Sequence, residues 1–272
     1  MPFRSIPNFK GVLCAALAAG LMGMGSVQTV KAGQAGDTPP PKDTSQPHPV
    51  LATPGLKVLF GGISEDIGQN WEQNGKPAQW SLEDHAMVAN KSGNISSKEK
   101  FSDFQLHIEF RVPYMPDKKG QSRGNSGVFL QGRYEIQVLD SYGIREPGSG
   151  DCGAVYNQAA PLVNACKPPL QWQTYDISFR APRVDPTTHE IKEPARVTVF
   201  QNGLTVQNDQ IIKGPTHVVK PKPLKPGETP PPAEDFSVPG PIVLQWHGNT
   251  VAFRNIWIVP LPAQGATHYE PR

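Results

Sequence analysis

Apolar and polar residues alternate along most of the chain between residues 56 and 262. The clearest run is Phe104–Val112, where Leu106, Ile108, Phe110 and Val112 fall on one face and Gln105, His107, Glu109 and Arg111 on the other. A period of two predicts a strand with one face in a core and the other polar. The same reading predicts strands at Val58–Phe60, Trp80–Leu82, Met87–Ala89, Ser126–Gln131, Glu135–Leu139, Thr174–Arg180, Ala195–Gln201, Leu204–Gln210, Pro241–Gln245 and Ala252–Pro260, with Gly, Asn and Pro turns between them. Asn202-Gly203 between two such runs predicts a type I′ hairpin. No segment has the apolar spacing of a three-turn amphipathic helix. The prediction is an all-β, antiparallel jelly-roll β-sandwich over residues 56–262, whose polar-faced concave sheet is a natural place for a ligand.

Two stretches break the alternation. Residues 33–55 are Pro, Thr, Ser and Asp with almost no large apolar side chain, which predicts an extended linker with order beginning near Leu56. Residues 213–241 are so rich in proline that ladder hydrogen bonding is excluded over most of their length, which predicts a surface loop inserted between strands. Residues 263–272 read as a tail. Composition agrees: 26 Gly and 30 Pro exclude a long-helix bundle.

Residues 1–32 have the pattern of a secretory signal peptide, with Arg4 and Lys10 ahead of the apolar run Gly11–Val27 and Val30-Lys31-Ala32 as a loose small-x-small cleavage site. An uncleaved anchor is the alternative. The run is short for a membrane span, so the mature chain is expected in the periplasm or outside the cell, free of the membrane. The net charge of +2 comes from this leader. Removing Arg4, Lys10 and Lys31 from the 26 basic residues leaves one fewer than the 24 acidic ones. A near-neutral body offers no footprint for nucleic acid. Export also bears on Cys152 and Cys166, which in an oxidising compartment are expected to form a disulfide closing a loop of about fifteen residues, worth ~3 kcal/mol. Two free buried thiols are the alternative. Two cysteines without a nearby His pattern make no zinc site.

His107 with Glu109 and Glu135 with Gln137 alternate on strand faces, so a curved sheet could gather several polar groups in one hollow. An ordinary wetted sheet face is the plainer reading. Several blocks then occur in order: Leu59–Gly62, Phe101–Phe110, Asn125–Leu130, Tyr134–Asp140, Cys152–Tyr156, Trp172–Asp176, the Arg196–Gly203 hairpin, and His247-Gly248-Asn249 ahead of Phe253–Ile256. In this order they resemble the bacterial 3-keto-disaccharide hydrolase domain family.

The resemblance implies a concanavalin A-like fold of the lectin/glucanase type acting on 3-keto-glycosides, downstream of a sugar C3-oxidoreductase. A C3 ketone acidifies the hydrogen on C2. A base can then remove it, the enolate can expel the C1 substituent, and hydration of the enone completes a net hydrolysis without the paired carboxylates of ordinary glycosidases. The candidates are Glu109, Glu135, Asp140, Tyr156 and His247, with His247 or Glu135 favoured for proton transfer. Asn125, Gln137 and Arg133 would orient hydroxyls or polarise the carbonyl, and Trp172 or Trp246 would stack on a sugar. Trp246 stands where many members are expected to carry Asp. Each candidate has a structural alternative: Glu109 as a hydrogen-bond partner under the sheet, Tyr156 as a corner residue, Arg254 as the partner of a buried carboxylate. No cofactor is implied, and a divalent ion such as Ca²⁺ around Glu135, Asp140 and His247 stays open because the sequence shows no spaced oxygen-ligand loop. A non-catalytic carbohydrate-binding module and a structural envelope protein are the competing readings.

Overall fold

The computed structural model describes residues 38–50, 53–217 and 234–264. The leader pattern at 1–32, the middle of the Pro-rich insertion and most of the tail lie outside them. In chain order the strands are β1 (Lys57–Phe60), β2 (Trp71–Gln73), β3 (Lys76–Pro77), β4 (Ser81–Glu83), β5 (Ala86–Val88), β6 (Ile95–Phe101), β7 (Asp103–Arg111), β8 (Ser126–Leu130), β9 (Tyr134–Val138), β10 (Gln173–Arg180), β11 (Arg183–Val184), β12 (Ile191–Glu193), β13 (Arg196–Gln201), β14 (Leu204–Ile211), β15 (Gly240–Leu244) and β16 (Ala252–Leu261). The seven-residue helix α1 (Ser64–Asn70) follows β1.

The strands form an antiparallel sandwich of jelly-roll type. One sheet has the order β14-β13-β10-β7-β16-β5-β4, with β1 also pairing β16, and the other has the order β3-β2-β6-β15-β8-β9. Their facing sides bury Phe104, Leu106, Ile108, Phe110, Tyr175, Ile177 and Phe179 from the first sheet and Val128, Leu130, Tyr134, Ile136, Ile242 and Leu244 from the second. Alternation therefore sends the intervening residues to two outer faces on opposite sides of the core.

Most predicted strands occur within a residue or two of their expected bounds. β6 was not expected, because Ile95 and Phe101 are its only large apolar residues. It holds its place by pairing with β15 and β2 and through the buried Ser97 hydroxyl, which donates to Glu99 O (2.6 Å) and accepts from Ile242 N–H (2.9 Å).

Residues 38–50 correct the expectation of a detached linker. They lie as a strap against the outer face of the eight-stranded sheet. Asp43 N–H donates to Leu170 O (2.9 Å), Arg111 Nη1 to Asp43 O (3.1 Å), and Trp172 N–H to the Asp43 carboxylate (3.1 Å). What anchors the strap is backbone and polar hydrogen bonding, so an apolar pattern could not have announced it.

The insertion is likewise tied down at both described ends. Thr216 Oγ1 accepts Glu135 N–H (2.8 Å), Thr216 N–H donates to Arg133 O (2.8 Å), and the Arg133 guanidinium holds Glu234, Asp235 O and Val238 O.

Candidate functional site

The strand motifs His107-x-Glu109 and Glu135-x-Gln137 do not share a hollow. β7 belongs to the eight-stranded sheet and β9 to the six-stranded one, so the two sets of polar side chains occupy the two opposite outer faces. The expectation of one site containing both Glu109 and Glu135 is corrected by this non-local pairing.

On the eight-stranded sheet the buried Glu109 and Arg254 pair with each other, and His107 pairs with Asp176. Arg254 lies opposite Glu109 in the β7–β16 ladder, and a bulge follows between Arg254 and Trp257, with Asn255 at φ 48°. The bulge places Arg254 and Asn255 consecutively on the outer face before Ile256 returns to the core. Glu109 accepts from Arg254 Nε (2.7 Å), Asn255 Nδ2 (2.8 Å) and the strap's His48 N–H (2.7 Å). Burial alone would raise its pKa, but contacts from His107, Asn255, the His48 N–H and Arg254 outweigh it and hold the carboxyl at about 2. Burial likewise opposes charge on His107, whose Nδ1 donates to Asp176 Oδ1 (2.6 Å), yet the Asp176 and Glu109 carboxylates raise it to about 9. Trp257 stacks on the same ring at 4.9 Å. Glu109 is thus a structural acceptor with Arg254 as its partner. Trp172 is 4% exposed, and its ring carries the guanidiniums of Arg111 (4.5 Å) and Arg254 (4.1 Å). A cavity of about 530 Å³ lies between strap and sheet, lined among others by Lys42, Ser45 and His85.

On the six-stranded sheet the outer face is built differently. Gly127 lies opposite Gln137 and Phe129 opposite Glu135 in the β8–β9 ladder, and β15 continues both rows on the other side of β8 with Gln245 and Val243. The Glu135 side chain reaches diagonally over Gly127, and a Cβ at Gly127 would come within 2.3 Å of its Oε1. Glycine is required there because the carboxyl occupies the space of a side chain. Glu135 is 3% exposed, and burial without a charge partner raises its pKa to about 7. A buried carboxyl poised near neutrality on an outer face is the signature expected of a proton-transfer group.

A network of amides surrounds it. Gln137 Nε2 donates to Gln121 Oε1 (3.0 Å) and Gly150 O (3.3 Å), Asn125 Nδ2 donates to Gln121 O (2.7 Å), and Asn125 N–H donates to Asn249 Oδ1 (2.8 Å). The side-chain N–H groups of Asn125 and Gln137 are therefore committed within the protein. Tyr156 hydrogen-bonds through its backbone N–H to Glu135 O (3.1 Å), and its ring borders Gly150. His247 is exposed just beyond Gln245.

Other expected site residues have structural duties. Arg133 anchors the insertion. Asp140 is 6% exposed and faces Arg123 (3.2 Å); burial raises its pKa, opposed by Arg123 and the Tyr142 N–H. Trp246 packs against the edge of the core, with its N–H on Asn94 Oδ1 (2.9 Å). Cys152 and Cys166 are free thiols, which corrects the expected disulfide. Both receive the Gln201 amide (3.5 and 3.4 Å), and Cys152 also contacts the Tyr175 hydroxyl (3.1 Å).

Glu135, Asp140 and His247 do not form a close ligand cluster among the described residues, where the group that does is His48, His107 and Glu109 on the opposite face. There Glu109 Oε1 already accepts two N–H donors.

Comparison with known proteins bears on what these faces belong to. Residues 55–259 match the model of the 3-keto-alpha-glucoside-1,2-lyase-like domain. The chain belongs to that family. Among solved structures, a Parabacteroides distasonis protein described as a glycosyl hydrolase is 37% identical over 80% of this chain and 94% of its own, with a TM-score of 0.66. A second protein from the same organism, with the same description, is 16% identical over 76% of this chain and 94% of its own at a TM-score of 0.50, and shows the fold alone. A search of curated proteins finds no match. Sequence reasoning missed Gln121, the hub of the amide network, and Gly127, whose only signal is a glycine inside a strand pattern.

Proposed function

We propose that this chain cleaves 3-keto-glycosides by base-assisted elimination followed by hydration, on the outer face of the six-stranded sheet. The observation that carries the reading is Glu135, a buried carboxyl lying over Gly127 with burial as the cause of its raised pKa of about 7. The family's description and that of the 37% identical glycosyl hydrolase support the substrate class.

The reaction balances with the chain's own groups. The Glu135 carboxylate takes the C2 proton, whose acidity comes from the neighbouring C3 ketone, and negative charge develops on the C3 oxygen. The electron pair then expels the C1 substituent, which needs a proton at its oxygen. With Asn125, Gln137 and Arg133 committed elsewhere, Tyr156 and His247 are the groups for the C3 oxygen and the leaving oxygen. Water adds to the resulting enone and completes a net hydrolysis. The substrate would come from an oxidoreductase acting at sugar C3, and the leader pattern supports a reaction outside the cytoplasm.

The test is incubation with a C3-oxidised glucoside and its unoxidised parent, with products followed by mass spectrometry. The expected result is aglycone release from the oxidised compound alone, with Glu135→Gln slower by about 10²–10⁴. Intact recovery of both compounds would overturn the reading in favour of a carbohydrate-binding module.

A further inference from the structure

Two acceptor atoms on the outer face of the six-stranded sheet have no partner among the described residues. Gln137 Oε1 and Gln245 Oε1 are both buried without a hydrogen bond among the described residues. The orientation of Gln137 is fixed, because its Nε2 donates to two acceptors, Gln121 Oε1 and Gly150 O, and turning the amide over would set oxygen against oxygen. Gln245 is held by its backbone. Its N–H donates to Gly127 O (3.1 Å) and its C=O accepts from Ser126 Oγ (2.7 Å), with Leu244 in the core and the Gln245 side chain on the outer face. The register sets Gln245, Gly127 and Gln137 in one row across β15, β8 and β9, with the Glu135 carboxyl lying over the glycine in the middle.

A buried acceptor left unpaired is costly, so two of them flanking an acid mark places where a ligand brings donors. We infer that Gln245 is a substrate-positioning residue which, paired with Gln137, accepts two hydroxyl groups of one neutral sugar ring and so sets the ring over Glu135. A hydroxyl suits the site because it donates one hydrogen and brings no charge to a desolvated floor. This inference rests on the proposed carbohydrate function, but it concerns binding and not the cleavage step.

The experiment therefore uses equilibrium binding of unoxidised glucosides, which need no turnover. A parent glucoside and its single-deoxy analogues are titrated against the full chain, Gln245→Met and Gln137→Met, with thermal unfolding checking that each variant is folded. The wild type is expected to bind one deoxy analogue at least tenfold more weakly than the parent, and Gln245→Met is expected to bind that pair equally. Gln137→Met should lose discrimination at a different hydroxyl. On the 3-keto substrate, Gln245→Met should raise KM about tenfold while kcat changes less, and Gln245→Asn should recover part of the loss. If Gln245→Met keeps the wild-type deoxy profile and KM, the inference fails even where aglycone is released. If the profiles change as described but the 3-keto compound is not cleaved, the elimination reading fails and the positioning role stands.

Discussion

The two outer faces of the sandwich pose the same problem and solve it oppositely. Each carries a glutamate two residues from another polar side chain, on the interior strand β7 in one sheet and on the terminal strand β9 in the other, and each glutamate is almost fully buried. Glu109 is buried among donors: a guanidinium, an amide and the strap's N–H bring it to about 2. Glu135 is buried without a compensating charge, and burial brings it to about 7. Burial therefore does not distinguish a structural acid from a reactive one. What distinguishes them is whether the neighbours compensate the charge.

This contrast predicts opposite outcomes for parallel substitutions. The largest effect is on turnover: Glu135→Gln, and Gly127→Ala by displacing the carboxyl, should each lower kcat/KM on a 3-keto-glucoside by about 10²–10⁴, as loss of a positioned base does. Glu109→Gln should leave turnover per folded molecule unchanged. It weakens the pairing of a buried Arg254, so stability should fall, by up to about 3–5 kcal/mol for full loss of the partner in Glu109→Ala, measured by denaturant unfolding.

Next comes a dependence on pH in which the two glutamates have opposite signs. Glu109, held below its ordinary value, contributes stability that is present above pH 4.5 and lost as the pH falls toward 2. His107, held above its ordinary value, contributes stability present below 6.5 and lost as the pH rises through 9. Glu135 favours its neutral form, so its contribution is present below 4.5 and lost as the pH rises toward 7. Glu135→Gln should consequently be more stable than the wild type at pH 8, by roughly 2–3 kcal/mol, and no more stable at pH 4. The smallest effect is that of the strap. A chain beginning at Thr53 should lose about 1–2 kcal/mol, since several charge-assisted hydrogen bonds pass from strap to water, with kcat unchanged.

Much of this was legible in the sequence, and the gaps have physical causes. Alternation located β7, β9, β10 and β16 because each buries one side in the core, and the Asn202-Gly203 turn joins β13 to β14 as expected, with both residues at positive φ. The pairing of Glu109 with Arg254 was available as a plain alternative. Which sheet each strand joins was not legible, since pairing across more than a hundred residues leaves no local trace, and that is why Glu109 and Glu135 were expected in one hollow. β6 and the strap escaped for a shared reason: polar hydrogen bonds hold much of them, and hydrophobic periodicity does not report those. Arg133 and Trp172 carry residue types that suit sugars, but in the fold their guanidinium and ring are spent on Glu234 and on two arginines.

The central claim is that the chemistry belongs to the uncompensated carboxyl. Its most direct test is the pH dependence of kcat/KM for aglycone release from a 3-keto-glucoside, measured for the wild type, Glu135→Gln and Glu109→Gln. The account predicts a rise through about pH 7 in the wild type and in Glu109→Gln, because the base must be ionised, and in Glu135→Gln a rate lower by about 10²–10⁴ without that rise. Wild-type rates and an unchanged profile in Glu135→Gln, or loss of turnover in folded Glu109→Gln alone, would contradict it.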